Sequence, residues 1–158
     1  MGALALNRLK NGLLVVRLLP GYVLFGLLKH VVPLRWLVRW AWCPPHGPRD
    51  LEGERRLAAR VCRLSRLTGL PDRDCLQRSL LLYRMLSRAG ANPTLVFGFR
   101  RTDGRIFGHA WVIVDGYPVI EPEVDPLRFS PMLGFGFGGE PLPAITAGKL
   151  SLNNWPEY

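Results

Sequence analysis

The chain has 158 residues and a formal charge of +9, from 21 Lys plus Arg against 12 Asp plus Glu; this length supports one well-buried domain without disulfide or metal staples. Its three cysteines, Cys43, Cys62 and Cys75, form no CxxC pair, and His30, His46 and His109 are scattered, which argues against a zinc site or a disulfide framework. The expectation is a reduced, cytoplasmic protein with no cofactor or metal, whose basic charge suits an anionic partner.

The basic excess lies toward the start: residues 1–50 carry Arg8, Lys10, Arg17, Lys29, Arg35, Arg39 and Arg49 against Asp50 alone. The segment from Leu13 to Trp42 is apolar but is interrupted by four of these cations. Its longest uncharged stretch, Leu18 to Leu28, is shorter than the ~20 residues that span a bilayer. Pro20 and Pro33 are expected to break any helix through it. Trp36 and Trp40, like Arg35 and Arg39, are four apart, so two short amphipathic helices with cationic flanks are expected. Residues 1–45 thus read as a basic amphipathic arm that lies on a membrane surface, on a partner or on its own domain. Residues 46–158 read as the core domain.

The run CPPHGPRD is a turn-rich linker. From Glu52 to Arg66, apolar Leu57, Ala58, Val61, Cys62 and Leu64 recur at helical spacing, with Cys62 as a packing residue. At PDRDC, Asp74 is placed to cap a helix that runs to Arg88 and stops at Gly90, burying a stripe of Leu76, Leu80, Tyr83 and Leu86. The period then changes to two. Residues 94–100, 106–114 and 117–121 read as strands joined by TDGR and DG turns, an antiparallel meander. Helices followed by a meander define an α+β domain. The GFGFGG run at 134–139 matches GxGxxG, but Pro141 and Pro143 forbid the helix that dinucleotide binding requires, so 130–145 reads as a Gly-rich loop.

The chemistry centres on Cys75. As the first residue of its helix it meets unpaired N–H groups and the positive end of the dipole, which favour thiolate over thiol and can receive an oxyanion. A thiolate that attacks an amide needs an acid for the leaving amine, and His109, held on a strand, can supply it. If Val114, Asp115 and Gly116 form a three-residue bulged loop, His109 falls opposite Glu121, whose carboxylate then orients the imidazole. A two-residue loop at Asp115-Gly116 shifts the register and puts Glu121 on the other face, leaving Glu123 and Asp125 as alternative acids. Asp115 is the turn residue, about 20 Å from His109 by strand rise.

The segments DCLQRSLLLYRMLSRAGANPTLVFGFR and FGHAWVIVDGYPVIEP resemble the leader peptidases of lasso-peptide biosynthesis, the catalytic half of the lasso-peptide B protein, over residues 55 to 125. The resemblance implies a transglutaminase/papain-like cysteine protease core that removes the leader from a ribosomally made precursor. It maps Cys75 to the nucleophile, His109 to the catalytic histidine and Glu121 to the acidic member, usually Asp. The implied partners are the precursor peptide, a separate PqqD-like winged-helix protein that recognises the leader, and an asparagine-synthetase-like cyclase. Acyl transfer to an amine, or a non-catalytic adaptor with a buried Cys75, are the competing readings. The arginines form no recognisable nucleic-acid module, so no nucleic acid partner is expected.

Overall fold

The computed structural model describes residues 16–67, 74–119, 125 and 128–143. Helix α1 covers residues 16–28, and α2 (Leu34–Ala41), α3 (Leu51–Leu67) and α4 (Cys75–Arg88) follow. Strands β1 (Thr94–Thr102), β2 (Arg105–Val114), β3 (Tyr117–Pro118) and β4 (Ser130–Phe135) form one antiparallel sheet in the order β3-β2-β1-β4. The α+β class is as expected.

Pro20 lies inside α1 and does not end it. A helical proline forfeits its own N–H bond to the carbonyl four residues earlier. Here the loss is offset by a fully packed inner face, with Leu18, Tyr22 and Phe25 buried at helical spacing. The opposite face of α1 exposes Val16, Leu19, Val23, Leu24 and Leu27. Pro33 occupies the N-cap of α2. Leu37, Val38 and Ala41 face inward from it, while Trp36 and Trp40 point outward, with Arg35 and Arg39 both over the Trp36 ring. Over the described residues, the segment expected as an arm shares one hydrophobic cluster with Val61 and Leu64 of α3, Leu80 to Tyr83 of α4, and Leu95 and Val112 of the sheet. Among the described residues no helix is long and apolar enough to cross a membrane.

Helix α4 is the axis of this core. A single buried stripe was expected, yet Gln77, Arg78, Ser79, Leu80, Leu81, Leu82, Tyr83, Leu86 and Ser87 are all buried. The sheet covers one side and the other helices cover the rest. Its polar residues tolerate burial because they are bonded: Ser79 Oγ donates to the Ala110 carbonyl (2.8 Å), Ser87 Oγ to the Tyr83 carbonyl (2.8 Å), and Arg78 Nη1 to Ser65 Oγ (3.3 Å). Gly90, at a φ of 86°, ends the helix as its left-handed terminator.

Both DG turns have two residues in the loop. Thr102 pairs with Arg105 and Val114 with Tyr117, and Asp103, Gly104, Asp115 and Gly116 all have positive φ. This is the type I′ pattern, whose twist matches that of the strands. The three-residue bulged loop expected at 114–116 does not form. Asp115 accepts the left-handed conformation, and its carboxylate is gripped by Arg49 (Nη1 at 3.1 Å, Nη2 at 2.5 Å), which also pairs with Glu54 (Nε at 2.6 Å).

The Gly-rich loop expected at 130–145 is partly a strand. β4 pairs with the edge of β1 that β2 leaves open, and a short 3-10 turn, Phe137–Gly139, follows it. Pro131 and Gly134 hid it, since both are poor strand residues in isolation. The Tyr83 hydroxyl, buried enough to be pushed up to about 12, donates to the Gly136 carbonyl and accepts from the Gly139 N–H at 3.1 Å, fastening this turn to α4. Gly98 leaves no room for a side chain: a Cβ there would lie 2.6 Å from the Ser130 carbonyl oxygen and 2.7 Å from the Trp111 ring. Gly98→Ala is therefore expected to lower stability by about 1–3 kcal/mol through overpacking, read as a reduced urea midpoint at unchanged m-value.

Candidate active site

Cys75 opens α4, as its position after Asp74 suggested, but Asp74 does not cap the helix with its side chain. The carboxylate instead accepts a hydrogen bond from the buried Tyr22 hydroxyl (3.0 Å) and faces Lys29 Nζ at 3.8 Å. A phenol buried in α1 requires a partner, and Lys29, one and a half to two turns further on, draws the carboxylate the same way. The start of α4 is thus tied to α1, and Asp74 contributes its backbone carbonyl, which accepts from the Arg78 N–H at 2.8 Å.

The sheet brings the second group. In β2, Ala110 turns both backbone groups away from β1: its carbonyl accepts from Ser79 Oγ, and its N–H hydrogen-bonds the Cys75 sulfur. His109, the residue before it, hydrogen-bonds the same sulfur through its side chain. The imidazole is buried at 7% exposure, with the Phe129 ring centroid 4.9 Å away and Trp111 stacked at 6.1 Å. These rings restrict the rotation of His109 and hold it against the thiol.

The electrostatics of Cys75 set burial against its polar neighbours, and the neighbours prevail. Burial pushes the thiol up. Against it act the His109 hydrogen bond, the Ala110 N–H and the positive charges of His109 and Arg78, and together they hold the thiol below its ordinary value. Arg78 is 1% exposed and stands one turn beyond Cys75 on the same helix.

Of the residues singled out from sequence, Cys75 and His109 are in contact. Glu121 and Glu123 lie outside the described residues, and the loop geometry that selected Glu121 as the partner of His109 is not the one formed. Asp115 is at the hairpin tip in the grip of Arg49, and Asp125 pairs with Arg128 at 3.6 Å. Sequence reasoning overlooked Arg78, which the spacing C-x-x-R places on the Cys75 face, and Ser79, which bonds the Ala110 carbonyl. It also overlooked Phe129, which local periodicity could not reveal because it reaches His109 from a distant segment. Among the described residues no group of three or more His, Cys, Asp or Glu side chains is gathered where a metal ion could sit.

The chain matches the family described as the transglutaminase-like superfamily over residues 15–134. The chain belongs to this superfamily, whose members are generally cysteine-protease or acyl-transferase-like enzymes. The match starts just before α1, so α1 and α2 fall within the family domain. No curated protein and no solved structure gives a match.

Three outcomes are expected. The rate of Cys75 alkylation by iodoacetamide, followed on its own peptide by mass spectrometry, should inflect below the ordinary value of a thiol. Because burial alone raises the thiol, His109→Ala should move that inflection upward. Tyr22→Phe, which strips a buried carboxylate of a donor, should cost about 1.5–3 kcal/mol in chemical denaturation.

Proposed function

We propose that this chain is a cysteine peptidase that removes the leader from a ribosomally made peptide precursor in lasso-peptide biosynthesis. The observation that carries the peptidase reading is the hydrogen bond between His109 and the Cys75 sulfur, formed at a helix start beside the Ala110 N–H. The pathway rests on the resemblance of the Cys75 and His109 segments to leader peptidases, and membership of the transglutaminase-like superfamily is consistent with it.

In this mechanism the Cys75 thiolate attacks the scissile carbonyl carbon, and the carbonyl oxygen becomes an oxyanion facing the first N–H groups of α4. The C–N bond breaks as His109, protonated in the thiolate-imidazolium pair, donates to the departing amine. A thioester then links Cys75 to the acyl fragment. Neutral His109 removes a proton from water, the hydroxide adds to the thioester carbonyl, and collapse releases the carboxylate and regenerates the thiolate. Arg78 stabilises the thiolate between turnovers through its charge. The resemblance assigns the orienting acid to Glu121, and the two-residue loop that forms gives this assignment no support from strand register. A separate PqqD-like protein presents the leader, and a cyclase receives the product.

The test is a cleavage assay on the precursor peptide with the recognition protein present, read by mass spectrometry. Cys75→Ala and His109→Ala should each lose at least about 1,000-fold in leader release. Glu121→Gln should reduce it and Asp115→Asn should leave it intact. A product heavier by a bound amine instead of water would assign acyl transfer. Leader release that survives Cys75→Ala would overturn the peptidase and favour an adaptor.

A further inference from the structure

The face of the sheet that carries His109 also carries a cation whose needs the fold leaves unmet. Gly98 of β1 lies opposite His109 of β2, and Arg100 lies opposite Phe107. Residues directly opposite share a face, so Arg100 is the diagonal neighbour of His109, a separation of ~7–8 Å between backbones. The Arg100 guanidinium carbon is 5.5 Å from the centroid of Phe107 and 5.1 Å from that of Phe129. Phe129 is the ring that packs on His109 at 4.9 Å. A chain of two ring contacts therefore connects the guanidinium to the imidazole.

Among the described residues Arg100 Nε is buried and has no hydrogen-bond partner. An unmade bond to a buried charged donor is costly, and arginine cannot relieve it by losing its proton. Aromatic faces answer part of the positive charge but leave the N–H unsatisfied. The neighbouring cations on this hairpin, Arg101 and Arg105, are exposed and add positive potential to the same end of the sheet. Phe107, 43% exposed, forms the outer wall of this place.

We propose that Arg100, walled by Phe107 and Phe129, forms a subsite for an acidic side chain of the peptide substrate beside the bond presented to Cys75 and His109. The subsite rests on the peptidase reading for its substrate. A carboxylate supplies both missing elements at once, an acceptor for Nε–H and a counter-charge, and it meets the planar fork of Nε and an Nη in a bidentate way. The rings accommodate the aliphatic stem of Asp or Glu. A backbone carbonyl would satisfy the N–H but not the charge.

The test uses precursor-derived peptides in which each of about four positions on either side of the cut carries, in turn, Asp, Asn, Glu or Gln. Turnover is measured with the wild-type chain, Arg100→Gln and Arg100→Lys, and binding is measured by fluorescence anisotropy with Cys75→Ala and with Cys75→Ala/Arg100→Gln. The wild type should prefer acid over amide at one position by roughly tenfold or more in kcat/KM, expressed in KM, as a charge-assisted bond predicts. Arg100→Gln should erase that preference, and Arg100→Lys should keep part of it. The inference is overturned by equal losses on acid and amide peptides, which mark a packing role, or by the absence of acid preference at every position. Should no peptide be cleaved, the peptidase reading fails, and the acid-over-amide difference in binding, present or absent, still decides the subsite.

Discussion

The structure turns on one contact: the first turn of α4 against the edge of β2, where Ala110 turns its backbone away from β1. A strand edge presents N–H and C=O groups that demand partners. Here the partners are side chains of a helix end: Ser79 Oγ takes the Ala110 carbonyl, and the Cys75 sulfur takes the N–H. The same helix end has N–H groups of its own that no Asp74 side chain occupies. A reactive sulfur, a row of donors and the His109 imidazole are therefore gathered by satisfying backbone polarity, the requirement that also holds the fold together.

Everything around α4 serves to hold that contact in register. The helix is enclosed by α1, α2 and α3 on one side and by β1 and β2 on the other, so it has little freedom to slide or turn. Tyr22 and Lys29 reach across from α1 to Asp74, pinning the residue immediately before the nucleophile. At the far end, the Tyr83 hydroxyl anchors the turn after β4. Arg49 clasps the tip of the β2–β3 hairpin to the start of α3 through Asp115 and Glu54. The buried charges near the site, Arg78 and Asp74, are each bonded, which is what permits ionic groups within a core of this size.

The two faces of the sheet divide the labour. Leu95 and Val112 look toward α4 and belong to the main core, while Val96, Trp111, Ile113 and Phe129 form a second, smaller cluster on the other side. His109 belongs to the latter face and yet reaches Cys75, because the sulfur sits at the β2 edge and not over the sheet. This arrangement surrounds the imidazole with aromatic rings while keeping its working nitrogen at the junction of helix and strand.

The sequence alone determined the elements whose periodicity is local: α3, α4, the two central strands and the places of the two DG turns. Each depends on neighbours within one helical turn or one hairpin, where propensity, spacing and turn chemistry act directly. Tertiary structure decided the rest. Pro20 is carried through α1 by the packing of Leu18, Tyr22 and Phe25, a burial that no count of helix breakers contains. Asp74 abandons the cap because Tyr22, 52 residues away, needs an acceptor. Residues 130–135 become a strand because β1 has an edge to fill. The hairpin at Asp115-Gly116 was open between two registers, since DG suits both, and its choice changes which residue faces His109. Sequence specifies what each short segment can become, whereas the contest between distant groups for the same hydrogen bonds and buried surface selects which of those possibilities is used.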